Sequence, residues 1–215
     1  MTEIHDEVLV VGIGGHARFV LATLEMAQVP IKGLIALDSN YSQEELILNK
    51  QILGKVDDLP YFFNKGNKSL VLAIGNNKIR KDLYQTWDEF GFLFPSIIHP
   101  DAIVDLSVTI GAANILGPKA VLGANVKIGE NNIINSSCVI EHESIIGNHC
   151  HIAPGAVICG RVTVGDEAMI GANATIIDNL NIANKTILGA SSTLIHSVEI
   201  EDQTLVGSPA RAKML

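Results

Sequence analysis

The most regular feature of the chain is an aliphatic residue at every sixth position of its second half. The series begins at Ile98 and reaches Val206 without a miss. A glycine often follows the aliphatic residue, and a small residue often lies two positions before it. Neither the 3.6-residue period of a helix nor the two-residue alternation of a strand matches this spacing. A six-residue repeat is typical of a parallel β-helix, in which each repeat forms one flat side of a coil.

The repeat resembles the left-handed β-helix of the hexapeptide acyltransferases, in which three repeats make one coil. The resemblance implies about six coils of 18 residues, stacked about 4.8 Å apart like neighbouring strands. The aliphatic residues should all point inward, and a charge at such a position, for example at Ile158, should severely destabilise the fold. Glycine or asparagine, such as Asn131, Asn148 and Asn173, should occupy corners with positive φ.

The first half of the chain lacks this period and predicts alternating strands and helices. We expect strands over 8–11, 33–37 and 70–74, helices over 17–27 and 78–90, and a polar loop between the second and third strands. This order predicts a small Rossmann-like α/β domain with a parallel sheet. The predicted division is therefore a Rossmann-like α/β domain over 1–97, a left-handed β-helix over 98–206 and a tail over 207–215.

A glycine-rich loop follows the first predicted strand. The residues Gly12-x-Gly14-x-x-Ala17 fit the dinucleotide-binding pattern, and Asp38 follows the second strand, near the usual place of a ribose-binding acid. Glycine lets the backbone approach a phosphate, and a helix N-terminus favours negative charge. A nucleotide or nucleotide sugar is favoured over NAD, because this half is too short for a full dinucleotide fold. A tight turn without a ligand is the remaining alternative.

Composition and charge point to a small-molecule partner. The net charge is −8 and no basic run occurs, which argues against nucleic acid and anionic membranes. The acidic N-terminus is unlike a signal peptide, and no uninterrupted apolar stretch could span a membrane, so a cytoplasmic location is expected. The spacings of Cys138, Cys150 and Cys159 do not match an 18-residue coil, which argues against disulfides among them.

The tripeptide Glu141-His142-Glu143 interrupts the repeat with three ionisable residues. A histidine beside a carboxylate can act as a general base, because the acid fixes the imidazole tautomer. His149 and His151 follow and could line the same cleft, although His149 is more simply a structural residue. A zinc site formed by these histidines, as in γ-class carbonic anhydrases, is a disfavoured alternative.

Over nearly its whole length the chain resembles the sialic acid and bacillosamine acetyltransferase family. The resemblance rests on five motifs and one further residue: Gly12-Ile-Gly-Gly-His16, Leu37-Asp38, Ala73-Ile-Gly-Asn-Asn77, Asn135-Ser-Ser-Cys-Val-Ile-Glu-His-Glu143, His151 and Gly207-Ser-Pro-Ala-Arg211. It implies that His142 is the proton acceptor and that Glu143 orients it. It implies that the nucleotide sugar is contacted by Gly14, Gly15, His16, Asp38, Ser39 and Gly75. It also implies that acetyl-CoA is contacted by His151, Gly160, Ala172 and Ala190.

The resemblance implies N-acetylation of a UDP-linked 4-amino sugar by direct transfer from acetyl-CoA, without a metal. It also implies a homotrimer in which one subunit's His142 meets acetyl-CoA held partly by the next. Two departures concern the nucleotide: Ser39 stands where some relatives have a second acid, and Gly14 stands where some have serine. O-acetylation of sialic acid or another sugar hydroxyl, a zinc enzyme and a noncatalytic nucleotide-binding scaffold remain alternatives.

Overall fold

The computed structural model describes residues 7–42 and 44–213 and divides the chain into two units, residues 1–97 and 98–215. The acidic N-terminus considered above as a signal-peptide position lies mostly outside the described residues. The last two residues of the predicted tail, 214 and 215, also lie outside them.

The first unit is built on a five-stranded sheet. Its strands are β1 (Val8–Val11), β2 (Ile31–Ala36), β3 (Leu46–Ile47), β4 (Lys50–Lys55) and β5 (Ser69–Leu72), in the spatial order β3-β4-β2-β1-β5. The pairs made by β1, β2, β4 and β5 are parallel, and β3 is antiparallel to β4. The helices are α1 (Gly15–Met26), α2 (Leu59–Asn64) and α3 (Asn77–Phe90), with a 3-10 turn at Val56–Asp58.

This arrangement confirms the α/β class predicted for the first half and corrects the predicted loop. The segment between the second and third predicted strands contains β3, β4 and α2. Its apolar residues come in short runs, at 46–48, 52–53 and 61–63, which follow neither a helical nor a strand period. Strand β4 forms because it pairs with β2 and buries Ile52. This pairing is a tertiary contact.

Seventeen two-residue strands, evenly spaced along the chain, form the faces of the β-helix in the second unit. They are Ile97–Ile98, Ile103–Val104, Thr109–Ile110, Ile115–Leu116, Val121–Leu122, Lys127–Ile128, Ile133–Ile134, Val139–Ile140, Ile145–Ile146, His151–Ile152, Val157–Ile158, Thr163–Val164, Met169–Ile170, Thr175–Ile176, Asn181–Ile182, Ile187–Leu188 and Thr193–Leu194. Each pairs in parallel with the strand 18 residues away, for example Val121 with Val139. Three repeats therefore make one coil, which confirms the predicted left-handed parallel β-helix.

The repeat glycines are required by the close approach of the next coil. A Cβ on Gly111 would lie 2.6 Å from the carbonyl oxygen of Gly129, and a Cβ on Gly171 would lie 2.5 Å from the nitrogen of Ala190. Positive φ occurs two positions later in the repeat, at residues such as Lys119 and Glu143. Asn131 and Asn173 have positive φ as predicted, whereas Asn148 is wrongly predicted, because the next residue takes that conformation.

The six-residue series fails at its end. Ile200 is 65% exposed, and Val198 is buried in its place and pairs with Ile182. In the following strand, Thr204–Val206, Leu205 is buried and pairs with Leu188, while Val206 is 43% exposed. Among the described residues, the 18-residue register thus ends at this coil, on which the tail packs instead of another coil.

The tail closes this last coil with hydrogen bonds. The nitrogen of Ala210 donates to the oxygen of Thr193 at 2.7 Å, and the nitrogen of Thr193 donates to the oxygen of Gly207 at 3.0 Å. A final strand, Arg211–Ala212, is antiparallel to Thr204–Val206. These bonds satisfy backbone groups that an open sheet edge would leave unpaired.

The three cysteines are free thiols. Cys138 and Cys150 are buried in the interior of the β-helix, at its small-residue positions. Burial raises the pKa of the Cys138 thiol to about 12. Cys138 is therefore an unreactive packing residue.

Candidate active site and nucleotide pocket

A pocket of about 480 Å³ opens at the carboxyl ends of three parallel strands in the first unit. The loops after β1, β2 and β5 form it, because the chain leaves these strands in different directions and opens a crevice between them. The residues that line it are Gly12, Ile13, Gly14, Gly15, His16, Leu37, Asp38, Asn40, Ala73, Ile74 and Gly75.

Two kinds of glycine shape this pocket. Gly12 has φ +121°, and a Cβ there would lie 2.7 Å from the oxygen of Ala73, so the fold itself requires this glycine. A Cβ on Gly14 or Gly15, in contrast, would meet no heavy atom within 4 Å. These two glycines leave free space at the N-terminus of α1, where backbone N–H groups favour an anion.

The pocket collects most of the residues predicted to bind the nucleotide sugar. Gly14, Gly15, His16, Asp38 and Gly75 all line it, whereas the exposed Ser39 does not. Asp38 holds its own turn, because its Oδ1 accepts a hydrogen bond from the nitrogen of Asn40 at 2.8 Å.

Arg80 supports the pocket from behind and was missed by the sequence analysis. Its guanidinium is buried and donates to the carbonyl oxygen of Ile74 at 3.0 Å and to Oδ1 of Asn77 at 3.0 Å. These bonds fix the loop after β5 where it lines the pocket. A single arginine on an amphipathic helix has the pattern of a surface residue, so only the fold shows this role.

The second candidate site lies on one corner of the β-helix. His142 occupies the turn between strands Val139–Ile140 and Ile145–Ile146, and its neighbours one coil below and above are Ala124 and Gly160. A Cβ on Gly160 would lie 2.6 Å from Cε1 and 2.7 Å from Nε2 of His142. The imidazole therefore lies directly against the Cα atom of Gly160.

Glu143 lies at the Nδ1 edge of this ring and is itself bound by Arg161. Nδ1 of His142 lies 3.2 Å from Oε2 of Glu143, and Nε of Arg161 donates to the same oxygen at 2.9 Å. The hydrogen bond from His142, and after it the one from Arg161, hold the pKa of Glu143 below its usual value. Because the ionised carboxylate can only accept, the tautomer of the neutral ring that fits this contact has its hydrogen on Nδ1 and a lone pair on Nε2. This arrangement can accept a proton at Nε2.

The remaining predicted residues lie on other parts of the coil. His151 belongs to the strand His151–Ile152, where its Nε2 is 3.2 Å from Nδ2 of Asn135. His149 is at the corner before that strand, with Nδ1 2.9 Å from Nδ2 of Asn131. Both residues thus lie on the next corner and the next side of the coil from His142, and a cleft shared by the three histidines stays a prediction.

The predicted acetyl-CoA contacts also divide between two corners. Ala172 and Ala190 are 18 residues apart and lie one coil above the other, on the corner that precedes strands Thr175–Ile176 and Thr193–Leu194. The two coils are joined there by a hydrogen bond from the nitrogen of Ser191 to the oxygen of Ala172 at 2.8 Å. Gly160 lies on the His142 corner, at the opposite end of that face. A single chain therefore does not bring Ala172 and Ala190 to His142.

Within residues 7–42 and 44–213, no three His, Cys, Asp or Glu side chains are arranged to hold a metal ion. The same residues contain no helix long and apolar enough to cross a membrane.

Family profiles match both halves of the chain. The PglD N-terminal domain matches residues 7–87, and the bacterial transferase hexapeptide of six repeats matches residues 107–142 and 143–178. A search of curated protein sequences gave no match.

Solved structures match nearly the full length. PerB from Caulobacter crescentus, in complex with CoA and GDP-perosamine, is 28% identical with a TM-score of 0.92, covering 98% of each chain. The acetyltransferase domain of PglB from Neisseria gonorrhoeae, in complex with acetyl coenzyme A, is 25% identical with a TM-score of 0.86, covering 96% of this chain and 98% of that one. WeeI from Acinetobacter baumannii, at 24% identity and a TM-score of 0.85 over 96% and 99%, shares the fold.

The two profiles occur in the order of the two structural units, and the matches to PerB and PglB run through both. The chain therefore belongs to the PglD/NeuD-like family of hexapeptide-repeat acyltransferases.

Proposed function

We propose that this protein transfers an acetyl group from acetyl-CoA to the amino group of a nucleotide-linked sugar, with His142 as general base. The observation that carries the proposal is the ring of His142, held at Nδ1 by Glu143 and presented at a corner with only alanine and glycine above and below. PerB, the relative at 28% identity, was crystallised with CoA and GDP-perosamine, which supports both substrates.

The proton transfer follows from the tautomer. Acetyl-CoA supplies an activated acetyl thioester. As the acceptor nitrogen forms the new amide bond and the thioester C–S bond breaks, Nε2 of His142 accepts the proton that the amine loses, and the imidazolium then returns a proton to the CoA thiolate. Glu143 stabilises the imidazolium that forms, because its carboxylate stays ionised beside Nδ1.

Small corner residues suit the coenzyme. The stacked Ala172 and Ala190 leave the corner without long side chains, and Gly171 below them tolerates no Cβ against the nitrogen of Ala190. We propose that this corner, together with His151 and Gly160, contacts acetyl-CoA through backbone groups and an open groove.

A homotrimer would bring together the two parts of the active site, the corner with His142 and the corner with Ala172 and Ala190. Ala172 and Ala190 lie on one corner of the β-helix and His142 on another, so a neighbouring copy must supply the missing half. The outer face between these corners offers an apolar surface for such contact: Ile103 is 65% exposed, and Val121, Val139 and Val157 are partly exposed. We propose that this face packs between subunits.

The nucleotide is the finer part of the proposal. The family resemblance of the sequence predicts UDP, whereas PerB was crystallised with GDP-perosamine. We propose that the pocket after β1, β2 and β5 holds the diphosphate near Gly14 and Gly15 in either case, because both leave open space at a helix N-terminus.

Two measurements test this function: thermal unfolding with a panel of nucleotides, and acetyl transfer to the matching amino sugar. We expect UDP or GDP at 100 times its Kd to stabilise the native state by about 2.7 kcal/mol in thermal unfolding. The matching 4-amino sugar should then release CoA thiol from acetyl-CoA. Gly15→Ala should unfold at the wild-type temperature without nucleotide but bind about 10-fold more weakly, because its methyl group occupies the open space. Absence of thiol release with every amino sugar would overturn the proposal.

Gly160→Ala tests whether catalysis depends on the position of the His142 ring against Gly160. The three heavy atoms nearest to its new Cβ all belong to the ring of His142, and the backbone there has no positive φ. We expect kcat to fall about 10²-fold, because displacing a catalytic group by about 1 Å has that cost. Thermal unfolding provides the control and should stay near the wild-type midpoint. Wild-type kcat in a folded variant would show that the ring works from another position.

A further inference from the structure

We infer that Arg161 is a positioning residue that holds Glu143 in the orientation His142 needs. This inference rests on the proposed role of His142 as general base. Arg161 lies one coil above Glu143, 18 residues later in the sequence, so the two side chains project from the same corner column.

Both hydrogen bonds of the Glu143 carboxylate end on one oxygen. Oε2 accepts from Nε of Arg161 at 2.9 Å and lies 3.2 Å from Nδ1 of His142. The backbone repeats this connection, because the nitrogen of Arg161 donates to the carbonyl oxygen of His142 at 3.0 Å. Gly160, which contacts the ring, is the residue before Arg161. One segment of the upper coil thus touches the ring, its backbone and its carboxylate partner.

Glu143 needs such a partner because of where it lies. It occupies a corner with φ +60°, and its side chain is 49% exposed. An exposed glutamate retains several rotamers, and only those that face Nδ1 fix the tautomer of the imidazole. Arg161 selects these rotamers by occupying the same oxygen from above. Exposed ion pairs contribute little to stability, so the effect of Arg161 should appear in geometry and turnover.

A direct contact between Arg161 and a phosphate of the coenzyme is the competing role. That role would raise KM for acetyl-CoA and would act independently of Glu143. A positioning role would lower kcat, leave KM unchanged and disappear when Glu143 is already disabled.

The kinetic test uses Arg161→Gln, Arg161→Lys, Glu143→Gln and the double variant. We expect Arg161→Gln to lower kcat about 10-fold with KM for acetyl-CoA within about 2-fold, and Arg161→Lys to recover part of this loss. The double variant should turn over as slowly as Glu143→Gln alone. Lys185→Gln is the matched control, since it removes one positive charge from the equivalent position of another corner and should keep wild-type kcat. Additive losses, or a loss confined to KM, would overturn the inference.

Ring nitrogen shifts of His142, measured by NMR, give a readout without turnover. In the wild type we expect the tautomer with hydrogen on Nδ1, and in Arg161→Gln a measurable fraction with hydrogen on Nε2. An unchanged tautomer would count against positioning, whatever the activity. Failure of the wild-type protein to acetylate any amino sugar would instead contradict the proposed function and would leave this comparison interpretable.

Discussion

Replacing His142 by alanine lowers kcat for acetyl transfer by about 10²- to 10⁴-fold, the range expected when a general base is lost. The ring makes no buried hydrogen bond, and its side chain is 49% exposed, so the β-helix should fold without it. The measurement is steady-state release of CoA thiol with the amino sugar that the nucleotide panel identifies. Weaker binding of acetyl-CoA would not explain the loss if KM stays near its wild-type value.

His196→Ala is the matched control for this experiment. His196 is exposed and follows its strand, Thr193–Leu194, by the same two positions as His142 follows Val139–Ile140. It lies three coils farther along the same corner column, away from Glu143 and Arg161. The control variant should keep wild-type turnover. A folded His142→Ala variant with near-normal kcat would remove the imidazole from the mechanism.

Replacing Ile158 by aspartate should abolish folding of the β-helix. Ile158 is fully buried in the interior and stacks between Ile140 and Ile176 in the coils on either side. An unpaired buried charge costs several kcal/mol, and the lost aliphatic packing adds about 2 to 5 kcal/mol. The total approaches the whole stability of a typical domain, about 5–15 kcal/mol. Because each coil is stabilised by its neighbours, the damage should spread beyond one coil.

Ile200→Asp is the control that separates the sequence pattern from the structure. Both positions belong to the six-residue series, but Ile200 is 65% exposed, so its aspartate should change the thermal midpoint little. Circular dichroism and thermal unfolding of the two variants give the comparison. Equal destabilisation by both substitutions would contradict the register described here for the last coil.

The pocket shows how far sequence motifs reach. The glycines after β1 and the acid after β2 could be recognised because short motifs fix them locally. Asn40 lies only two residues after Asp38 and could have been found from its turn. Arg80 could not, since nothing in the pattern of its helix shows that its side chain is buried and bonded to the loop after β5.

The β-helix allows more to be read from sequence than most folds. Once a coil is known to contain 18 residues, any residue's neighbours above and below follow by counting. Glu143 and Arg161 are such a pair, as are His142 and Gly160, and both could have been found this way. The sequence predicts glycine at corners because of its positive φ. In the structure, the repeat glycines are required by close contact with the next coil.

The amino-acid sequence alone determined the two-part architecture, the six-residue repeat, the inward residues of most coils and the histidine beside a carboxylate. These properties depend on local periodicity and short motifs, which a linear chain records directly. The tertiary structure decided where the register ends, which residues line the pocket and which corners carry His142, Ala172 and Ala190. Those outcomes depend on contacts between residues distant in sequence, and only the packed coils and sheet create them.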